Sequence, residues 1–276
     1  RQIRFTIVRL YPDPHNSSWT DLTPKHHSAV VFAHSTRRLN LTVSWFGGEM
    51  SADLDASAIV LTKDGTELES VFFGNLKSRE DHSVHGAITH FGDSLGQETS
   101  AGGGGDENIQ IELSGLGQKV HCIYIVVTIY SIGKFFTPGQ EPCIALVDPM
   151  AGVEICKFYP SLKDDPLSQR QPCSAFVMGR ICRFPRHDRW GFQALGFGTQ
   201  GRTYEQCLPE LRQQIHDDEF GGPLGVFADS QELGKKKEKS LRSMASRSCK
   251  RMMQSGEYHP HKHRSCSQQV TRCSIM

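Results

Sequence analysis

The stretch His121-Cys122-Ile123-Tyr124-Ile125-Val126-Val127-Thr128-Ile129-Tyr130 decides the fold. It is dominated by β-branched and aromatic side chains and carries no Asp, Glu, Lys, Arg, Gly or Pro. Such a run suits an extended strand, and its apolar character in both registers predicts a central strand covered on both faces. Working outward, residues 59–62 (IVLT) precede Lys63-Asp64-Gly65 and a second apolar run at 68–73, which reads as a hairpin built on Asp-Gly. Residues 109–113 alternate. Two more pairs follow: 144–147 with 153–159 across Asp148-Pro149, and 175–184 with 190–197 across residues 185–189. Turns rather than helices join these runs, so the expected class is mainly β, an antiparallel β-sandwich.

One helix is expected. Thr203 can cap it, and Tyr204, Leu208, Leu211 and Ile215 share a face, with Pro209 as a point of kinking or restart. Two further strands are expected before residue 39, at 5–10 and 29–33, with no assigned neighbours. The organisation read from this is 1–38 as N-terminal strands, 39–220 as the sandwich, and 221–276 as a basic tail. In that tail apolar periodicity vanishes and disorder is expected.

The chain has 276 residues, 37% of them hydrophobic, which is enough for a core, and no apolar run long enough to span a bilayer. No secretory-type segment is visible near residue 1. The nine cysteines include no C-x-x-C pair, which favours reduced thiols in a cytosolic protein and unused sequons at Asn16 and Asn40. The net charge of +1 hides an asymmetry. Residues 235–276 hold eleven Lys/Arg against Glu238 and Glu257, a balance of +9, and the rest of the chain carries −8. An acidic body with a basic tail reads as two parts with different partners.

Acidic and amide residues recur in four short stretches: Asp53-Leu54-Asp55-Ala56-Ser57, Asn75-Leu76-Lys77-Ser78, His90-Phe91-Gly92-Asp93 and Gly105-Asp106-Glu107-Asn108-Ile109. In a strand, Asp53 and Asp55 share one face while Leu54 points to the core. Like charges at that spacing call for a cation, and clustered oxygens on flexible loops suit calcium, which takes six to eight oxygen ligands. Taken singly, each acid reads as a solvated loop residue.

In this set the chain resembles the TerD family of tellurium-resistance and stress-response proteins, from about Leu39 to Ile215. The likeness runs through the Trp45 segment, the DLDAS run, the NLKS turn, His-x-Gly-Asp, the acidic Gly-rich loop and the long following strand. It continues from Phe176 through Gly179, Trp190 and Phe192 to Gly201. The resemblance implies a calcium-binding β-sandwich without established catalytic activity, with Asp53, Asp55, Asn75, Asp93, Asp106 and Glu107 in the ion-binding role. This chain departs from the pattern at Ser51, Gly74, Ser94 and Gly105, and its loop from Asp93 to Asp106 is longer than usual. Each lost carboxylate lowers the charge that holds calcium, so one of the family's two ion sites is expected to be weak or missing.

Other motifs have blander readings. Gly196-Phe197-Gly198-Thr199-Gln200-Gly201 matches G-x-G-x-x-G, but no βαβ succession surrounds it. Gly102–Gly105 lacks the Lys-Ser/Thr of a P-loop. His90 with Asp93 has no nucleophile nearby in sequence. His259, His261, His263 and Cys266 match no zinc-finger spacing.

The chain ends Cys273-Ser274-Ile275-Met276, a C-a-a-X pattern with the final residue favoured for farnesyl transfer. A single lipid holds a protein only marginally, and the upstream Lys250, Arg251, Lys262, Arg264 and Arg272 supply a second signal toward an anionic leaflet. Cys266 is a candidate palmitoyl site. The sequence reading is therefore a non-enzymatic, calcium-binding protein of stress response or signalling. Its expected partners are a prenyltransferase, an anionic membrane surface and an unidentified protein, and its expected place is the cytosolic face of a membrane. A metal-dependent hydrolase using His90, Asp93 and the ion, and a nucleic-acid-associated or nuclear protein working through the tail, are the alternatives.

Overall fold

The computed structural model describes residues 8–10, 20–22, 29–45, 54–80, 83–92, 106–137, 142–161, 171–184 and 188–219. All of them fall in the first of two compact units, residues 1–227. Asp53, Asp93, the glycine run at 102–105, the basic tail with its histidines, Cys266 and Cys273 lie outside the described residues.

Elements are numbered in chain order. The decisive stretch forms β9 (Cys122–Ile129), hydrogen-bonded to β5 (Leu54–Leu61) on one side and β12 (Ala175–Phe184) on the other, and all eight residues of β9 are buried. Its two registers serve two layers. Ile123, Ile125, Val127 and Ile129 join the core between the sheets, whereas Cys122, Tyr124 and Val126 join a second cluster beneath the helix. A strand so placed needs apolar residues at nearly every position, which is why its sequence does not alternate. β6 (Glu67–Val71) flanks β5, and β13 (Arg189–Thr199) flanks β12; beyond β13 come β3 (Ala29–Val31) and the edge strand β1 (Val8–Leu10).

The second sheet has the order β2 (Thr20–Leu22), β11 (Val153–Phe158), β10 (Cys143–Asp148), β4 (Arg38–Ser44), β8 (Asp106–Glu112) and β7 (Ile88–His90). Its strands do alternate. Leu39, Leu41, Val43, Ile109 and Ile111 face the core, while the other face carries a polar ladder across β4 and β8. Thr42 Oγ1 donates to Asn108 Oδ1 at 2.8 Å, Gln110 Nε2 to Asn40 Oδ1 at 3.0 Å, and Arg38 Nε to Glu112 Oε2 at 2.9 Å. Cross-strand pairs of this kind stabilise a solvent-facing sheet by a few tenths of a kcal/mol up to about 1 kcal/mol each.

The expected antiparallel sandwich is present, with two parallel pairs at its edges, β1–β3 and β2–β11. The two N-terminal strands that had no assigned neighbours both extend the first sheet, and β2, which the sequence reading did not expect, extends the second. The Asp-Gly hairpin is present between β5 and β6, where Gly65 adopts φ +80° and Asp64 accepts from the Thr62 hydroxyl and from Thr66 N. The helix α1 spans Tyr204–Glu219 and runs through Pro209 as one element rather than restarting there. Proline at the sixth helical position removes one early backbone bond, and burial of Cys207, Leu208, Leu211 and Ile215 against the first sheet outweighs that loss. At its start, Arg202 N donates to Gln206 Oε1 at 2.8 Å, a reach-back resembling half of a capping box.

Candidate functional site

Strand register brings most of the acidic stretches to one end of the sandwich. There β5 begins at Leu54 opposite Ile129, the last residue of β9, while β4 finishes at Ser44 opposite Asp106, the first residue of β8. The turn after β6 also lies there, as do the residues following His90 in β7 and the N-terminus of α1. We call this the loop end. At the opposite end lie the Thr62–Thr66 and Asp148–Gly152 turns.

Asp55 sits on the helix-facing side of β5, with Thr128 opposite it in β9 and Ser57 two residues on. It is 6% exposed and lines a cleft of about 160 Å³ together with Ser57, Thr128, Thr203 and Glu205. Phe72, Phe73, Tyr130, Tyr204 and the cationic Arg202 complete the walls. The ring centroids of Phe72 and Tyr204 lie 4.8 Å apart, and those of Phe73 and Tyr130 6.5 Å apart. Burial, followed by the charges of Glu205, Glu67 and Glu69, pushes the Tyr204 hydroxyl up to about 12. Asp55, Glu205, Ser57, Thr128 and Thr203 offer oxygens to this cleft, the donor chemistry that a hard cation takes, and Arg202 brings a positive charge to the same wall.

Glu107 is turned the other way. On β8 it shares the core-facing side with Ile109 and Ile111, and it is 2% exposed. Its Oε2 accepts the backbone N–H of Ala56, which lies beyond the last β5–β6 pair at Ala58–Val71 and so has no strand neighbour on that side. A side chain of the second sheet thereby completes the hydrogen bonding of the first, and leaving that amide bare inside the fold would cost about 1–3 kcal/mol. His90 is buried beside it. His90 Nδ1 accepts from Gly92 N at 2.9 Å, so the proton belongs on Nε2, which faces Glu107 Oε2 at 3.5 Å. That distance is longer than a good hydrogen bond, and Nε2 makes no other. His90 does not line the cleft, so it is not placed for catalysis there.

Asn75 closes the turn after β6. Its Nδ2 donates to Ser70 O at 2.7 Å and to Glu69 Oε1 at 3.3 Å, and Glu69 Oε2 also accepts from Arg79 N and Nε at 3.2 and 3.0 Å. Asp106, the residue before Glu107, lies exposed on the outer face of the second sheet. The four described members of the proposed ligand set therefore share one end but face four directions. Asp55 faces the cleft, Glu107 the interior, Asp106 solvent, and Asn75 its own turn. Among the described residues no three His, Cys, Asp or Glu side chains are grouped as a metal site. The cleft at Asp55 offers oxygen donors beside the cationic Arg202, whereas one oxygen of Glu107 is taken up by Ala56.

Sequence reasoning did not single out Glu205, Ser57, Thr128 or Tyr204 for this cleft. Ser57 was legible from Asp55 by the two-residue strand period; Glu205 and Tyr204 depend on where α1 docks, which no local pattern encodes. The first four residues of the G-x-G-x-x-G match, Gly196 to Thr199, are the end of β13, and only Gln200 and Gly201 lie in the turn into α1. β13 is antiparallel to both neighbours, so the segment lacks the parallel crossover a dinucleotide fold requires.

The described cysteines, Cys122, Cys143, Cys156, Cys173, Cys182 and Cys207, are all free thiols. Burial pushes Cys207 up to about 12 and raises Cys143 and Cys156 as well, so these thiols stay protonated and unreactive at neutral pH. Among the described residues no helix is long and apolar enough to cross a membrane.

Among curated relatives, the tellurium resistance protein TerZ of Serratia marcescens is 30% identical over 167 residues, which is 60% of this chain and 76% of the relative. The stress response protein SCP2 of Bacillus subtilis (strain 168) is 30% identical over 167 residues, covering 59% of this chain and 76% of that protein. General stress protein 16U of the same bacterium is 26% identical over 162 residues, 56% of this chain and 76% of its own. Among solved structures, a homologue of telluride resistance protein (TerD) from Streptomyces coelicolor A3(2) aligns with a TM-score of 0.46 at 15% identity, covering 64% of this chain and 98% of that one. The TerD domain profile matches residues 26–207, taking in β3 through the first turn of α1 and every described residue of the loop end. By that match, which spans well over half of its length, the chain belongs to the TerD domain family.

Proposed function

We propose that this TerD-family chain is a calcium-binding stress-response protein without catalytic activity, whose ion site lies at the loop end around Asp55, and that it is tethered to a membrane through Cys273. The observation that carries the ion reading is Asp55: a carboxylate 6% exposed, on the floor of a cleft lined by hydroxyls and a second carboxylate. Arg202 lines the same cleft, so the ion would share this anionic site with a guanidinium. Asp53, Asp93 and Asp106 are the further ligands carried over from the family resemblance. Calcium, when bound, supplies positive charge and ties oxygen donors from separate segments together. Glu107 acts behind this site by fixing β5 at Ala56, and so positions Asp55 rather than meeting the ion with that oxygen. The names of the relatives, which refer to tellurium resistance and stress response, support the cellular role.

Calcium at about 100 times its dissociation constant should stabilise the folded chain by about 2.7 kcal/mol, read as a rise in Tm of several degrees. Asp55→Asn should abolish that rise while leaving the protein folded; a rise equal to the parent's overturns the assignment. The tether follows from the C-a-a-X ending and the +9 balance of the last forty-two residues. Cys273→Ser should move the protein from the membrane to the soluble fraction of the cell, and an unchanged distribution rejects the lipid reading.

A further inference from the structure

Two cysteines stand directly opposite each other in the first sheet: Cys122, the first residue of β9, pairs with Cys182 of β12. Both lie on the helix-facing side, in the buried cluster that includes Leu211 and Ile215 of α1, and both are 0% exposed. Among the described residues no other cysteine faces a cysteine across a ladder. Cys143 faces Ser44, Cys156 faces Leu146 and Thr20, Cys173 faces Phe136, and Cys207 lies in α1.

The backbone fixes how close the two come. Ile129 N donates to Ser174 O at 2.7 Å, so Ile129 turns its backbone groups toward β12. That direction alternates along a strand, and Cys122, an odd number of residues earlier, turns its own toward β5, where it meets Leu61. Cys122 and Cys182 therefore form a non-hydrogen-bonded pair of the β9–β12 ladder, the closer of the two antiparallel kinds, with Cα atoms typically about 4.5 Å apart. That separation lies within the roughly 4.4–6.8 Å that disulfides span, and the two Cβ atoms leave the sheet side by side.

We propose that Cys122 and Cys182 are an oxidisable dithiol, closed to a disulfide by a hydroperoxide. One sulfur, as thiolate, attacks the peroxide O–O bond and becomes a sulfenic acid, while the departing oxygen takes a proton. The second thiolate attacks that sulfur, the S–S bond forms, and the sulfenic oxygen leaves as water. Two thiols and ROOH thus become a disulfide, ROH and water, the two electrons passing from sulfur to the peroxide oxygens. Reaching the sulfurs requires α1 to lift, because Leu211 and Ile215 seal the cluster that holds them. That lid is fastened nearby: Arg212 Nε donates to Gly65 O at 3.0 Å, in the turn that follows Leu61, the β5 neighbour of Cys122. Local opening of such an element costs less than global unfolding, so the pair is shielded at rest and meets oxidant at a rate set by the helix. The pair lies at the turn end, away from Asp55, so the inference goes beyond the ion and tether readings and depends on neither.

The test treats the reduced full-length chain with a few equivalents of hydrogen peroxide in native buffer containing chelator. Remaining thiols are then alkylated in denaturant and tryptic peptides are mapped without reduction. Trypsin places Cys122 and Cys182 on separate peptides, neither holding another cysteine. Those two peptides should appear joined, with Tm raised by several degrees because the bond closes a loop of about sixty residues. Dithiothreitol should reverse both changes, and Cys143→Ser should keep the link. If Cys122 and Cys182 are recovered alkylated while other cysteines oxidise, or as sulfinic acids without the link, the proposal is overturned. A link that forms only when urea unfolds the chain overturns it as well. The parent chain alone decides these outcomes, so no variant need fold. Arg212→Ala should form the link severalfold faster; an unchanged rate removes α1 as the gate and leaves the dithiol standing.

Discussion

The two ends of the sandwich use the same residue types for different ends. At the turn end, aspartates work as local fasteners. Asp148 is 4% exposed and fully employed: Oδ1 accepts from Met150 N at 3.0 Å and Ala151 N at 3.1 Å, and Oδ2 from the Thr36 hydroxyl at 2.9 Å. Asp64 is fastened in the same way to Thr62 and Thr66, hydrogen bonds that hold its carboxyl below the ordinary carboxylate value. At the loop end Asp55 is comparably buried but lines a cleft, and large apolar side chains stand in solvent around it. An acid whose neighbours are the amides of its own turn stabilises that turn. An acid set on the floor of a cleft marks a place where something else is received.

The largest effect that would test this contrast is expected at Asp148. Asp148→Ala removes the acceptor for two backbone amides and a hydroxyl and should cost about 3 kcal/mol in chemical denaturation, with or without calcium. Glu107→Ala should come next, at about 2 kcal/mol, because it leaves the Ala56 amide without its acceptor inside the fold. It should also weaken calcium binding through Asp55, so both readouts move together. Asp55→Asn should change stability in chelator by less than about 1 kcal/mol, since it keeps the size of the side chain and one of its oxygens, and its effect should show only when calcium is added. If Asp55→Asn proves as damaging in chelator as Asp148→Ala, the two ends are alike and the contrast fails.

The smallest effect concerns pH. Tyr204 is raised from an ordinary value of 10.0 to about 12, chiefly by burial. A group whose folded pKa is raised contributes stability that is intact below the unfolded value and lost as pH climbs through the folded one. Stability should therefore fall between about pH 10 and pH 12, and Tyr204→Phe should flatten part of that decline. Cys207, raised from 9.0 to about 12 by burial, accounts for a further part beginning nearer pH 9.

Much of the fold was legible in the sequence. The ten residues from His121 to Tyr130 could be nothing but a doubly covered strand, and Asp64-Gly65 fixed the neighbouring hairpin. The strands at β1 and β3 were read but their neighbours were not, and β2 was not read at all. β1, β2 and β3 are three residues long, and each has a parallel neighbour, so no turn residue joins those partners and no hydrophobic period can develop. The site was legible as an address more than as a geometry. Reading a strand from Ile109 left Asp106 and Glu107 as loop neighbours free to converge on one ion. The strand begins at Asp106, however, and adjacent strand residues point to opposite faces. Extending the alternation of Ile111 and Ile109 by one step would have put Glu107 in the core. Asp55 was placed correctly, on the face away from Leu54, because β5 was read in the right register.

The bond from Glu107 to Ala56 has a consequence for how the molecule can move. It is a cross-brace between layers, sited where the strands would most easily splay. Because the brace ends one residue from Asp55, any widening of the gap between the sheets must first release the Ala56 proton to water. Hydrogen exchange at that single amide is therefore a gauge of how far the receiving end opens, slow while the layers are pinned and fast once they part.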